Sequence, residues 1–232
     1  MTGATGVGEL RGGALRSLHG AARVRPLRAG DDAAVRALFR DTIALGRPLP
    51  FAASGLGAYE RLCLDWYLDQ GREVAGVLDR GGVVRGYVLV CLDEEAHRRW
   101  AVPRAVAWAA GSLLATAGRG PAARFTRLRV RDAVAAWHAA PPSPYPVHAH
   151  FNVARGARAG RAGLALAAHV DEVCRDHGVP GWYGEMNAPA GRRATALEHL
   201  GGRVVHRQRN ATLSWLAGHD IDRLTVTSPL PR

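Results

Sequence analysis

Apolar positions along the chain recur with two periods, and the switches between them mark out its elements. The run 23-RVRPLR-28 reads as a short strand. Next, 29-AGDDAAVRALFRDTI-43 takes a helical period, with Asp31 or Asp32 as cap and an apolar stripe through Ala34, Val35, Leu38 and Phe39. Gly and Pro crowd 44–57, which predicts loop, and 58-AYERLCLDWYLDQG-71 predicts a second helix stopped by Gly71. The clearest β-hairpin is 73-EVAGVLDRGGVVRGYVLVCLD-93, two β-rich runs joined by Asp79-Arg80-Gly81-Gly82. Between 94 and 144 the period is helical around 95–117 and 124–138, and the stretch 139-AAPPSPYP-146 is a rigid connector. Strand signals then resume over 147–153, followed by helix 161–177, strand 181–187, helix 190–200 and strand 203–216.

This order, β-α-α-β-β-(helical insert)-β-α-β-α-β, predicts an α/β (α+β) fold with a mixed sheet, in which 94–144 is an insertion before the fourth strand. One domain is expected over 23–218, between a disordered leader at 1–22 and a C-terminal tail at 219–232. A length of 232 residues with 47% hydrophobic positions suffices for a sizeable core. No apolar run approaches the ~18 residues that a membrane-spanning helix needs. Cys63, Cys91 and Cys174 have neither metal nor disulfide spacing and read as free thiols in a reducing cytoplasm.

The formal charge is +11, and all 31 basic residues are arginine. Such a lysine-free, Ala/Gly/Arg-rich chain reflects a coding bias more than a binding signal. The arginines are scattered with acids between them and only 6% of residues are aromatic, so nucleic acid is not the favoured partner. An acidic small molecule fits the charge at least as well.

The chemistry gathers in 145-YPVHAHFNVARGARAGRAGLALAAHVDEVCRDHG-178. Strand alternation puts His148, His150 and Asn152 on one face and Val147, Ala149, Phe151 and Val153 on the other. Immediately beyond, Arg155, Arg158 and Arg161 are interleaved with Gly156, Gly160 and Gly163 before a helix. Small residues at a strand-to-helix turn let main-chain N–H groups approach an oxyanion, and the helix dipole favours negative charge there. Guanidinium groups add charge-assisted contacts to phosphate. A zinc site on His148, His150 and His169 lacks a motif for its third ligand. Asp93 ends the hairpin strand, where a carboxylate is either solvated or a base. Glu185, on its own strand, either contacts substrate or caps a ladder edge. Trp66, Trp100, Trp108 and Trp137 read as packing residues of the helical portions.

In element order and loop, the sequence resembles the GCN5-related N-acetyltransferases, whose pyrophosphate loop reads Gln/Arg-x-x-Gly-x-Gly/Ala. Arg158-Ala159-Gly160-Arg161-Ala162-Gly163 fits at its first and last positions and has Arg161 where the family has its middle glycine. The resemblance is nearest to the branch related to the acetyltransferase-like domain of protein O-GlcNAcases, which carries a Tyr-Pro-x-His-x-His-apolar-Asn run. Here that run is Tyr145-Pro146-Val147-His148-Ala149-His150-Phe151-Asn152. The strand end 86-GYVLVCLD-93, the opening 24-VRPLRAGDDAAVRALF-39 and the segment 178-GVPGWYGEMN-187 extend the similarity over about 23–218.

The resemblance implies a mostly antiparallel sheet, acetyl-CoA as co-substrate and direct transfer of the acetyl group to an amine acceptor. It implies that Arg158, Ala159, Gly160, Arg161, Ala162 and Gly163 hold the pyrophosphate and that the main chain near Val153 meets the pantetheine arm. His148, His150 or Asp93 would take the ammonium proton, and Asn152, Tyr183 and Glu185 would line the acceptor site, with loops 44–57 and 94–144 shaping it. Aligned on Leu200-Gly201, the chain has Ala190, Leu197 and Gly202 where the family carries Asn, Tyr and Phe. The usual tyrosine acid is thus missing, so Tyr183 or a water substitutes, or the thiolate leaves unassisted. The alternative reading is a catalytically silent acyl-CoA-binding module. A homodimer remains open.

Overall fold

The computed structural model describes residues 22–139, 144–157, 161–191 and 202–230. Strands β1 (Arg23–Pro26), β2 (Gly76–Arg80), β3 (Val83–Cys91), β4 (Val147–Val153), β5 (Gly181–Pro189), β6 (Arg203–Arg209) and β7 (Ile221–Pro229) form one sheet. Their spatial order is β1-β2-β3-β4-β5-β7-β6. Every neighbouring pair is antiparallel except β4 with β5. Among the described residues the helices are α1 (Asp32–Thr42), α2 (Leu56–Asp69), α3 (Glu94–Ala115), α4 (Gly120–Ala139), α5 (Arg161–Asp176) and α6 (Ala211–Ala217).

The sheet is covered on both sides, which is why β3 reads as a nearly unbroken apolar run. On one face Tyr87, Leu89 and Cys91 pack against Val35, Phe39 and Leu64 of α1 and α2. On the other, Leu78, Val88, Val90, Val147 and Ala149 meet Leu166, Val170 and Val173 of α5. Period two in the strands and period 3.6 in the helices therefore bury the residues that the sequence pattern marks. Asp31 sits at the N-cap position of α1 but makes no side-chain cap bond. Its carboxylate turns back to Arg25 at 2.7 Å, tying the helix start to β1.

The insert is the hairpin α3–α4, and aromatic rings seat it on α2. Tyr59 packs against Trp108 at 4.7 Å and Phe125 at 5.7 Å, while Phe51 meets Phe125 and Trp215. Asp132 of α4 fastens the insert to the C-terminal part of the chain. Its buried carboxylate accepts from the main-chain N–H groups of Ala211 and Thr212 at 2.9 Å and from the Thr212 hydroxyl at 2.6 Å.

Two boundaries differ from the sequence reading. The strand expected over 203–216 stops at Arg209, because the Asn210 side chain accepts from Leu213 N–H at 2.9 Å and starts α6. The tail expected from residue 219 holds β7, a strand with neighbours on both sides. Gly218, in the left-handed region at φ 73°, ends α6 and allows the reversal. The helix expected at 190–200 falls almost wholly outside the described residues, as does the leader. No described helix is long and apolar enough to cross a membrane.

Candidate functional site: a cleft where two parallel strands part

β4 and β5 pair through only three rungs, Val147–Trp182, His148–Tyr183 and Ala149–Gly184. Beyond them each strand stays paired on its outer side only. β4 follows β3 to Val153–Gly86, and β5 follows β7 to Pro189–Ile221. From His150 onward the two strands therefore diverge, leaving an opening in the middle of the sheet. Gly184 sits at the vertex, where an added Cβ would meet the Ala149 carbonyl oxygen at 2.9 Å. A side chain there would wedge open the last rung.

The start of α5 lies beyond the end of β4. Ala162 packs into the same cluster as Val153, which joins the helix start to the strand end. Arg161, Ala162 and Gly163 form the first turn, whose main-chain N–H groups have no acceptor within the helix. Among the described residues an added Cβ at Gly163 would meet nothing within 4 Å, so that position is open on its side-chain side. Arg158, Ala159 and Gly160 lie outside the described residues.

The polar face of β4 is clad in rings. His148 stacks on Tyr183 at 4.9 Å, and the Tyr183 hydroxyl donates to Glu94 Oε1 at 2.5 Å. His150 lies 6.2 Å from Tyr87, whose hydroxyl accepts from Asn152 Nδ2 at 3.1 Å. Burial pushes the imidazoles of His148 and His150 down to about 4, so both are neutral near pH 7. Burial also lowers His97, which packs beside Tyr67 and Trp66 on the insert side. Glu185 is exposed and pairs with Arg223 at 3.4 Å.

No family model and no curated protein matches the chain. Solved structures do. SsHAT superposes with a TM-score of 0.55 at 22% identity, covering 89% of this chain and 98% of its own. A GCN5-related N-acetyltransferase from Kribbella flavida gives 0.51 at 17% identity over 90% and 98%. The yncA protein of Salmonella typhimurium, solved with its cofactor acetyl-CoA, gives 0.50 at 14% over 91% and 95%. The fold is that of the GCN5-related N-acetyltransferases.

Within this acetyltransferase fold, His148, His150, Asn152, Tyr183 and Glu185 gather around one opening, as their strand positions imply. Asp93 does not join them. It is the N-cap of α3, its Oδ1 accepting from Ala96 N–H at 2.8 Å. Its neighbour Glu94 enters the site instead, because the first turn of α3 aims that side chain at Tyr183. The only hint in the sequence is the run of acids Asp93-Glu94-Glu95, which marks a helix start without saying which acid turns inward. Also missed was Arg129 of α4, whose guanidinium lies over the rings of Tyr59 and Phe125.

Other candidates resolve into packing. His169 Nε2 bonds the Val74 carbonyl at 3.1 Å from α5, on the sheet face opposite His148. The described residues hold no cluster able to bind a metal. Cys63, Cys91 and Cys174 are free, and burial raises each thiol to about 11. Trp100 stacks with His97, Trp66 meets His97 edge-on, and Trp108 is buried. A shallow groove of about 450 Å³ beside Asp32, Arg36, Asp65 and Arg72 shares no residue with the cleft. Its charges are largely paired, Arg72 with Asp32 and Arg36 with Asp65.

Proposed function

We propose that the chain is an acetyl-CoA-dependent N-acetyltransferase that moves the acetyl group directly to an amine, with a small molecule as acceptor. The observation that carries this reading is the parting of β4 and β5 after Ala149–Gly184, with the exposed first turn of α5 beyond the end of β4. That geometry suits an elongated ligand with a phosphate-rich end. The N–H groups of Arg161, Ala162 and Gly163, with Arg158, Ala159 and Gly160 before them, would hold the pyrophosphate. The edge of β4 from His150 to Val153 would meet the pantetheine arm. Bound there, the coenzyme supplies an acyl thioester.

His150 is the residue best placed to take a proton from the acceptor nitrogen as the free amine attacks, being the first position past the last rung. Neutral at pH 7 and only weakly basic, it would act as the nitrogen bonds to the acyl carbon and becomes far more acidic. His148 is held on Tyr183 and serves to fix the floor. Tyr183 already gives its hydroxyl proton to Glu94, so the thiolate would leave without an acid from this residue. Asn152 uses its Nδ2 on Tyr87, which leaves its carbonyl oxygen to accept from an N–H of the acceptor amine. Support for a small acceptor comes from the contacts the insert makes with this side, Glu94 of α3 with Tyr183 and the Asp132 carbonyl of α4 with Arg223. The Tyr145–Asn152 run favours the O-GlcNAcase-related branch of the family.

The test is thiol release from acetyl-CoA against a panel of amines, alongside calorimetric titration with coenzyme A. Binding with amine-dependent thiol release is expected. Binding without turnover of any amine would leave the silent acyl-CoA module, and absence of binding would remove both readings.

A further inference from the structure

Arg129 is a cation without a counter-ion among the described residues. Its Nε is buried and makes no hydrogen bond. The nearby acids are already committed. Glu60 pairs with Arg36 and Arg40, Asp132 holds the start of α6, Glu185 pairs with Arg223, and Glu94 accepts from Tyr183. An unpaired buried N–H of a guanidinium is costly, which makes its retention informative.

Its position is equally specific. The α4 face that carries Phe125, Arg129 and Asp132 turns inward. Phe125 packs on Tyr59, and the Asp132 carbonyl accepts from Arg223 Nη2 at 3.3 Å. Arg129 lies 5.4 Å over the Tyr59 ring and 5.5 Å over the Phe125 ring. Its charge acts on the Tyr59 hydroxyl, the Cys63 thiol and the His150 imidazole. It therefore lies on the side of the sheet that carries the imidazole proposed to face the reacting nitrogen, within reach of its electrostatic influence.

We propose that Arg129 binds a carboxylate of the acceptor, so that the acceptor is an amine bearing a carboxylate, with an amino acid as the simplest case. A planar guanidinium packed beside rings keeps its N–H groups in its own plane, the arrangement that grips a carboxylate. The rings exclude water and strengthen the contact. The anion also sets the amine nitrogen at a fixed distance from the anchor, while His150 stands ready for the proton. This inference rests on the transfer reaction proposed above, and its test is separable from it.

The test uses product-like probes on the intact chain. N-acetylglycine, N-acetyl-L-alanine and N-acetyl-L-glutamate are titrated against their primary amides, with and without coenzyme A, for wild type and the Arg129→Met variant. Methionine keeps an apolar stem over the rings and removes the charge. The acids are expected to bind the wild type about tenfold or more tightly than the amides, the range of a charge-assisted contact. Arg129→Met is expected to abolish that preference while leaving coenzyme A affinity unchanged. Its melting temperature is expected to match or exceed that of wild type, whereas a structural arginine would leave a less stable protein. Equal binding of acids and amides, a preference that survives in Arg129→Met, or no binding of any acid would each overturn the proposal. Failure of coenzyme A to bind would remove the transfer reading alone, because the acid–amide comparison without coenzyme still decides the role of Arg129.

Discussion

Asp93 and Glu94 are adjacent carboxylates with different work, and the phase of a helix decides which does what. Asp93 accepts an N–H and starts α3, so Asp93→Ala is expected to cost about 1 kcal/mol of stability, read by denaturant unfolding, without slowing transfer. Spacing alone could not separate the two, since both follow the same strand. The histidines were easier to read, because strict alternation along β4 fixes their common face. Removing the base proposed here, by His150→Gln, is expected to lower kcat by about 10²–10⁴-fold. Once the rate of wild type is divided by the fraction of acceptor present as free amine at each pH, it is expected to stay level through pH 6.5, where an ordinary imidazole titrates, and to fall only as pH approaches 4. The same shift bears on stability. Between pH 6.5 and about 4 the unfolded chain binds protons that the folded imidazoles refuse, so stability is full above 6.5 and declines as pH drops toward 4. Melting temperature against pH is expected to show a shallower decline for His150→Gln than for wild type.

At the scale of elements, β3, β4 and α5 were legible because their period is set by burial on known sides. The end of the chain was not. The run 211-ATLSWLA-217 follows a β-rich segment without a Gly or Pro break, yet Asn210 and Asp132 of α4 supply the caps that start a helix there. A partner about 80 residues away leaves no trace in local propensity. Asp132→Ala strips three hydrogen bonds from a buried start of α6 and is expected to cost about 2–4 kcal/mol, measured by thermal or denaturant unfolding. Gly184 is the other element-scale point. Gly184→Val is expected to force the last β4–β5 rung apart, weakening coenzyme A binding measured by calorimetry more than it changes the affinity of Arg129 for a carboxylate probe.

Over the whole molecule, the insert reaches the sheet beside the β4–β5 opening, through Glu94 on Tyr183 and the Asp132 carbonyl on Arg223. Its aromatic seat on Tyr59 brings Arg129 of the insert over a ring of α2 that is distant in sequence. No motif announces that arginine, because its meaning depends on three helices packing together and on the absence of a described counter-ion. The large positive charge likewise says little until one arginine is singled out by its surroundings. The account as a whole stands on coenzyme binding where β4 and β5 part. Amide hydrogen exchange followed by mass spectrometry, with and without coenzyme A, probes that location directly. Slower exchange concentrated in peptides spanning 150–163 is the expected result. Unchanged exchange there at saturating coenzyme A, or protection confined to the outer groove beside Arg36 and Arg72, would contradict it.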